Sequence, residues 1–183
     1  MCTKIYKVPE RVASAAMNMK GISGYFSFRQ SSPFAVTVLR VNLTNLRERV
    51  GPYHVHNFPV PQLGSSQSSR CSNDNVGGHW NPFTVNTSSP VYPTMPGSTH
   101  DMYELGDLSS KHGSLAANDS VDTVFQDFHL PLFGQNSIVG RSVVIHQTDG
   151  HPVVGSGTLC GNRWLCQLPP MGPLLSFTLH SQK

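Results

Sequence analysis

The stretch ISGYFSFRQ, residues 22–30, alternates apolar and polar side chains, with Ile22, Phe26 and Phe28 among its apolar positions. Alternation with a period of two is the pattern of a strand buried on one face. Similar runs follow one another along the chain, at residues 13–21, 22–30, 34–43, 51–58, 122–133, 137–147, 162–168 and 174–180. Between them stand clusters of turn-forming residues, with 16 glycines and 14 prolines spread over the 183 positions. No segment combines helix caps with a 3.6-residue apolar period. Short strands punctuated in this way predict an all-β sandwich or barrel. The length suits one domain with its own core, placed at residues 13–183 behind an N-terminal extension at 1–12.

Charge narrows the partners. Charged residues make up 13% of the chain and the net charge is +3, too little for a dedicated nucleic-acid face. No apolar run approaches the roughly 18 residues of a membrane span, and no apolar signal-peptide core is visible near Met1. Three sequons, at Asn42, Asn86 and Asn118, and an even set of four cysteines, Cys2, Cys71, Cys160 and Cys166, are consistent with secretion. The expectation is an extracellular domain cut from a larger secreted protein, with Met1 an added start.

The stretch GPYHVHNFPV, residues 51–60, sets His54 and His56 two apart on a strand, so both imidazoles face the same way. His79 lies in GGHWNPF, where glycines allow close backbone approach, and His146 ends the apolar run SVVIH. Four imidazoles without a thiolate favour copper in a tetragonal arrangement, or zinc. A lone H-x-H pair is otherwise a weak signal. His112, His129, His151 and His180 carry no such setting and read as ordinary residues, His112 in a loop. The polar stretch at residues 59–122 is long for a connection and needs anchoring, by a disulfide and a ligand cluster.

The ordered series HVH, GGHWNPF, ELGDL, SIVGRSVVIH and NRWLC resembles the copper/zinc superoxide dismutase family, over about residues 17–177. The resemblance implies an eight-stranded Greek-key β-barrel and dismutation of superoxide at copper. It assigns His54, His56 and His146 as copper ligands throughout the redox cycle and His79 as the histidine that bridges to zinc in bimetallic members. It pairs Cys71 with Cys166, closing a loop of about 95 residues worth roughly 4–5 kcal/mol in the chain-entropy model, and leaves Cys2 and Cys160 as a second pair or as thiols. It places Arg163 beside the copper to receive the anionic substrate.

Two departures point to the copper-only group. Glu104 stands where a zinc histidine would be, beside Asp107 in the aspartate place, and His100 is the one other zinc candidate, at irregular spacing. The segment after His146 lacks the long charged loop that covers copper in bimetallic members. The resemblance to animal copper-only members, which occur as tandem repeats, implies neighbouring repeat domains. Glu104 or Asp107 would then hold the second nitrogen of His79. The alternative is a copper-binding or inactive structural module of an adhesive extracellular protein.

Overall fold

The computed structural model describes residues 9–46, 50–61 and 69–148 with their side chains, and the backbone of 152–158 and 160–161. Eight strands are described: β1 (Arg11–Met19), β2 (Ile22–Gln30), β3 (Thr37–Thr44), β4 (Val50–His56), β5 (Ser120–Asp127), β6 (Ser142–Gln147), β7 (Pro152–Thr158) and β8 (Cys160–Gly161). They form two antiparallel sheets, one in the order β5-β3-β2-β1-β8 and one in the order β4-β6-β7. After β3 the chain crosses to β4 in the second sheet and returns as β5 beside β3, a Greek-key path. The architecture is the all-β sandwich expected.

The sequence pattern explains the layers. In β2, Ile22, Phe26 and Phe28 are buried while Ser23, Tyr25 and Arg29 face out. β1 and β3 alternate likewise, burying Ala13, Ala15 and Met17, and Leu39, Val41 and Leu43. These side chains meet Val50, Tyr53 and Val55 of β4 and Val143 and Ile145 of β6 in one core. Phe26 stacks on Tyr53 across the sheets with ring centroids 5.8 Å apart. Burying such aromatic side chains is worth about 1.5–3 kcal/mol each.

Several local expectations change. β1 starts at Arg11, two residues earlier than expected, because Arg11 continues the antiparallel ladder opposite Gln30. β7 forms where the segment after His146 was read as a connection, since its glycines pair with β6 at Val143 and Ile145. Among the described residues two short helices also appear, α1 (Asn73–Val76) and α2 (Leu108–His112), with a 3-10 turn at His100–Met102. At four or five residues they are too short to show a helical period. The expected strands at 162–168 and 174–180 lie outside the described residues.

Candidate metal centre

β4 and β6 are adjacent, with His54 opposite Val144 and His56 opposite Ser142. A bulge between Val50 and Tyr53 shifts the register before the histidines, and bulges commonly re-aim side chains. His54 and His56 are both buried, at 8% and 1% exposure, so the strand presents both imidazoles inward. His146 comes from β6 and is 8% exposed.

The long polar stretch supplies His79 and the carboxylates. Asn57 and Phe58 donate backbone bonds to Gly78 and Val76, drawing the turn after α1 against the end of β4. Gly77 sits at φ +72°, and a side chain there would collide with Asn57 and Phe58 at 2.9 Å. Its carbonyl accepts a hydrogen bond at 2.8 Å from His56 Nδ1. The segment ELGD is laced to the same strand: Val55 N–H bonds Gly106 O, Gly106 N–H bonds Trp80 O, and Trp80 N–H bonds Val55 O, all within 2.9 Å. A Cβ on Gly106 would lie 2.6 Å from Val55 O, so this approach requires glycine. Trp80 is steadied by Arg141, whose guanidinium lies over the indole while donating to Asn57 O.

The four histidines converge. One ring nitrogen from each of His54, His56, His79 and His146 lies within 4.8 Å of the others. Among the described residues this is the one group of histidine, cysteine or acidic side chains that could hold a metal. Three of the rings are held from behind through the other nitrogen: His56 Nδ1 by Gly77 O, His79 Nδ1 by Glu104 Oε2 at 2.9 Å, and His54 Nε2 by Asp107 Oδ1 at 3.5 Å. Buried His54 Nδ1 has no hydrogen-bond partner within the protein. An orphaned buried nitrogen facing three other imidazoles is what a metal-ligand set requires, and a donor set of neutral imidazoles suits copper or zinc.

Burial keeps three of the rings neutral, those of His54, His56 and His146. Burial pushes His54 below its usual range, His56 to about 4 and His146 to about 3, and the neighbouring imidazoles reinforce the shift. Burial disfavours charge on Asp107, but donors from His54, Tyr92 and the Ser110 N–H outweigh it and hold the carboxyl well below the usual range. Neutral rings beside ionised carboxylate are ready for a cation without first losing a proton.

A family model of copper/zinc superoxide dismutases matches residues 22–162. The chain belongs to the copper/zinc superoxide dismutase family. Cell surface superoxide dismutase [Cu-Zn] 4 of Candida albicans is 33% identical over 70% of this chain and 50% of its own length. The cell surface Cu-only superoxide dismutase 5 of the same organism is 33% identical over 70% of this chain and 51% of its own. The chain thus spans about half the length of these two relatives. The solved structure of Candida albicans superoxide dismutase 5 with Cu(II) superposes with a TM-score of 0.63 at 24% identity, covering 83% of this chain and 91% of that one. This last likeness concerns the fold.

Other family positions fall elsewhere. Glu104 is the partner of His79, and Asp107 the partner of His54, which resolves the pairing that spacing alone left open. His100 does not join His79. Its Nδ1 lies 3.1 Å from Asp127 Oδ1, beyond the group that surrounds His79. His112 is no idle loop residue: it closes α2 and places Nε2 2.9 Å from Asp127 Oδ2. His129 stacks on Phe83, and its backbone N–H bonds Asp127. Cys71 is buried with Sγ 3.9 Å from Met19 Sδ. Cys160 is described by its backbone, which pairs with Ser14. Cys2, Cys166, Arg163, His151 and His180 lie outside the described side chains. Tyr92 went unnoticed in the sequence, since a lone tyrosine in a Pro- and Ser-rich stretch carries no signal, yet its hydroxyl donates to Asp107 Oδ2 at 2.6 Å.

Proposed function

We propose that this domain dismutates superoxide at a single copper held by His54, His56, His79 and His146, without a zinc site. The observation that carries the reading is the convergence of four imidazole nitrogens within 4.8 Å, in a chain of this family. Copper would supply the one-electron chemistry: one superoxide is oxidised to dioxygen, and a second is reduced with two protons to hydrogen peroxide. The protein holds the rings and manages protons. His79 is the partly exposed member of the set, with 34% of its side chain open to solvent. Its Nδ1 proton is donated to Glu104, which leaves Nε2 as the nitrogen that would hold the copper and, whenever it is not doing so, could hold or pass a proton. His54 is fixed from behind by Asp107, as outer carboxylates commonly orient metal-binding imidazoles.

The copper-only reading rests on Glu104. A carboxylate occupies the second nitrogen of His79, and His100 is committed to Asp127. Arg163, from its place in NRWLC, is assigned to attract the anionic substrate, and Cys166 to pair with Cys71. An extracellular location follows from the sequons and from relatives named for the cell surface, and adjoining repeat domains from the resemblance to repeat-bearing members. No described helix is long and apolar enough to cross a membrane. The test is superoxide consumption by copper-loaded protein. Copper uptake without turnover would reassign the domain as a copper-binding module.

A further inference from the structure

The carboxylate of Asp107 and the backbone N–H of Glu104 meet at one oxygen atom, Tyr92 Oη. Tyr92 Oη donates to Asp107 Oδ2 at 2.6 Å and accepts from the backbone N–H of Glu104 at 3.2 Å. Asp107 is thereby held by three donors. Ser110 N–H and the His54 ring share Oδ1, at 2.9 and 3.5 Å, and Tyr92 takes Oδ2. A carboxylate gripped on both oxygens cannot turn about its own axis. We propose that Tyr92 is a positioning residue for the metal centre, locking Asp107 so that His54 carries its proton on Nε2 and presents bare Nδ1 to copper, while pinning the main chain of Glu104 behind His79.

The geometry assigns the consequence to particular atoms. The tautomer of a metal-binding histidine is set by the partner of its other nitrogen. For His54 that partner is Asp107 alone, and Nδ1 is the nitrogen left without a bond. Loss of the Tyr92 hydroxyl frees Oδ2, lets the carboxylate rotate and loosens the tautomer. The neighbouring Tyr103 provides an internal comparison. Its ring meets that of Tyr92 edge to face at 6.3 Å, but its hydroxyl bonds Met95 O and Ser98 N–H within the loop and touches neither carboxylate.

The proposal rests on the four histidines holding copper, and the experiment separates the two claims. Cu(II) affinity is measured by competition with a chelator, together with the Cu(II) electron paramagnetic resonance spectrum and the imidazole 15N shifts of the metal-free protein. Tyr92→Phe should weaken Cu(II) binding about 10-fold, the lower end of outer-sphere effects, alter the spectrum and mix the His54 tautomers. Tyr103→Phe should lower the melting temperature while leaving all three unchanged. In an Asp107→Ala background Tyr92→Phe should have a smaller effect, only that of the lost Glu104 contact. Wild-type affinity and spectrum in Tyr92→Phe would overturn the role of Tyr92, as would an unchanged effect in the Asp107→Ala background. Failure of the wild type to take up Cu(II) would overturn the metal site itself.

Discussion

His79 Nδ1 lies 2.9 Å from Glu104 Oε2, and Glu104 is buried, at 7% exposure. The bond fills the nitrogen through which a bridging histidine would reach a second metal. Protein equilibrated with excess copper and zinc, then dialysed, should therefore retain about one copper and no zinc, matching one four-histidine set. Elemental analysis reads the outcome directly. Tightly held zinc in equal amount beside the copper would defeat the copper-only reading.

The same contact assigns Glu104 a part in proton handling. Glu104→Gln keeps the shape and an acceptor for the His79 N–H but removes the negative charge that faces the ring. Copper should remain bound while the rate falls about 10- to 100-fold, the range for outer-sphere changes. Pulse radiolysis on protein of measured copper content decides. An unchanged rate across pH would remove Glu104 from the mechanism.

Arg163 belongs to NRWLC, beyond the described residues. Arginine stays protonated and offers several N–H donors close to a small anion. Arg163→Glu should load copper normally and lose most of its rate, and Arg163→Lys should keep part of it. Added salt should slow the wild type, since exposed charges are screened over about 8–10 Å near physiological ionic strength. A wild-type rate in copper-loaded Arg163→Glu would refute the assignment.

Why the sequence carried some of this and not the rest follows from the range of each signal. Strand alternation is local, so β1, β2 and β3 and the shared face of His54 and His56 could be read directly. β7 could not, because PVVGSGT alternates poorly and its glycines resemble turn residues. The four histidines were legible through motif order. Which carboxylate backs which ring was not, since it depends on the backbone bonds joining Val55, Trp80 and Gly106 across 51 positions of chain. In the sequence His100 reads as a zinc candidate and His112 as an ordinary loop residue, because their common partner, Asp127, ends a strand remote from both.

Asp127 is the anchor of the long connection on the sheet. Lys111 of α2 reaches its Oδ2 at 2.6 Å with both side chains fully buried, and the ammonium also donates to Leu105 O. Breaking a buried pair by removing one partner costs about 3–5 kcal/mol, because a charge is left uncompensated. Asp127→Asn should lose that much in chemical denaturation, and Asp127→Asn with Lys111→Met should recover part of it. A single-variant loss within experimental error of zero would show that the pair does not anchor the connection.

The metal-free protein should weaken as pH falls from about 6.5 toward 4. Unfolded histidine titrates near 6.5, whereas burial holds His56 at about 4, His146 at about 3 and His54 below its usual range in the folded chain. Between those limits the unfolded chain binds protons that the folded chain refuses. Stability rises with pH wherever the unfolded state binds more protons, so these groups contribute in full above 6.5 and their contribution drains away on acidification. Each histidine protonated only when unfolded contributes a slope of about 1.4 kcal/mol per pH unit. Asp107 and Asp127, both depressed below their usual values, add a loss of the same sign only below about pH 4, leaving the interval above it to the imidazoles. Urea denaturation of chelator-treated protein at successive pH values measures the slope. Stability that stays level or rises as pH falls from 6.5 to 4 would show that His54, His56 and His146 are not held neutral in the folded chain.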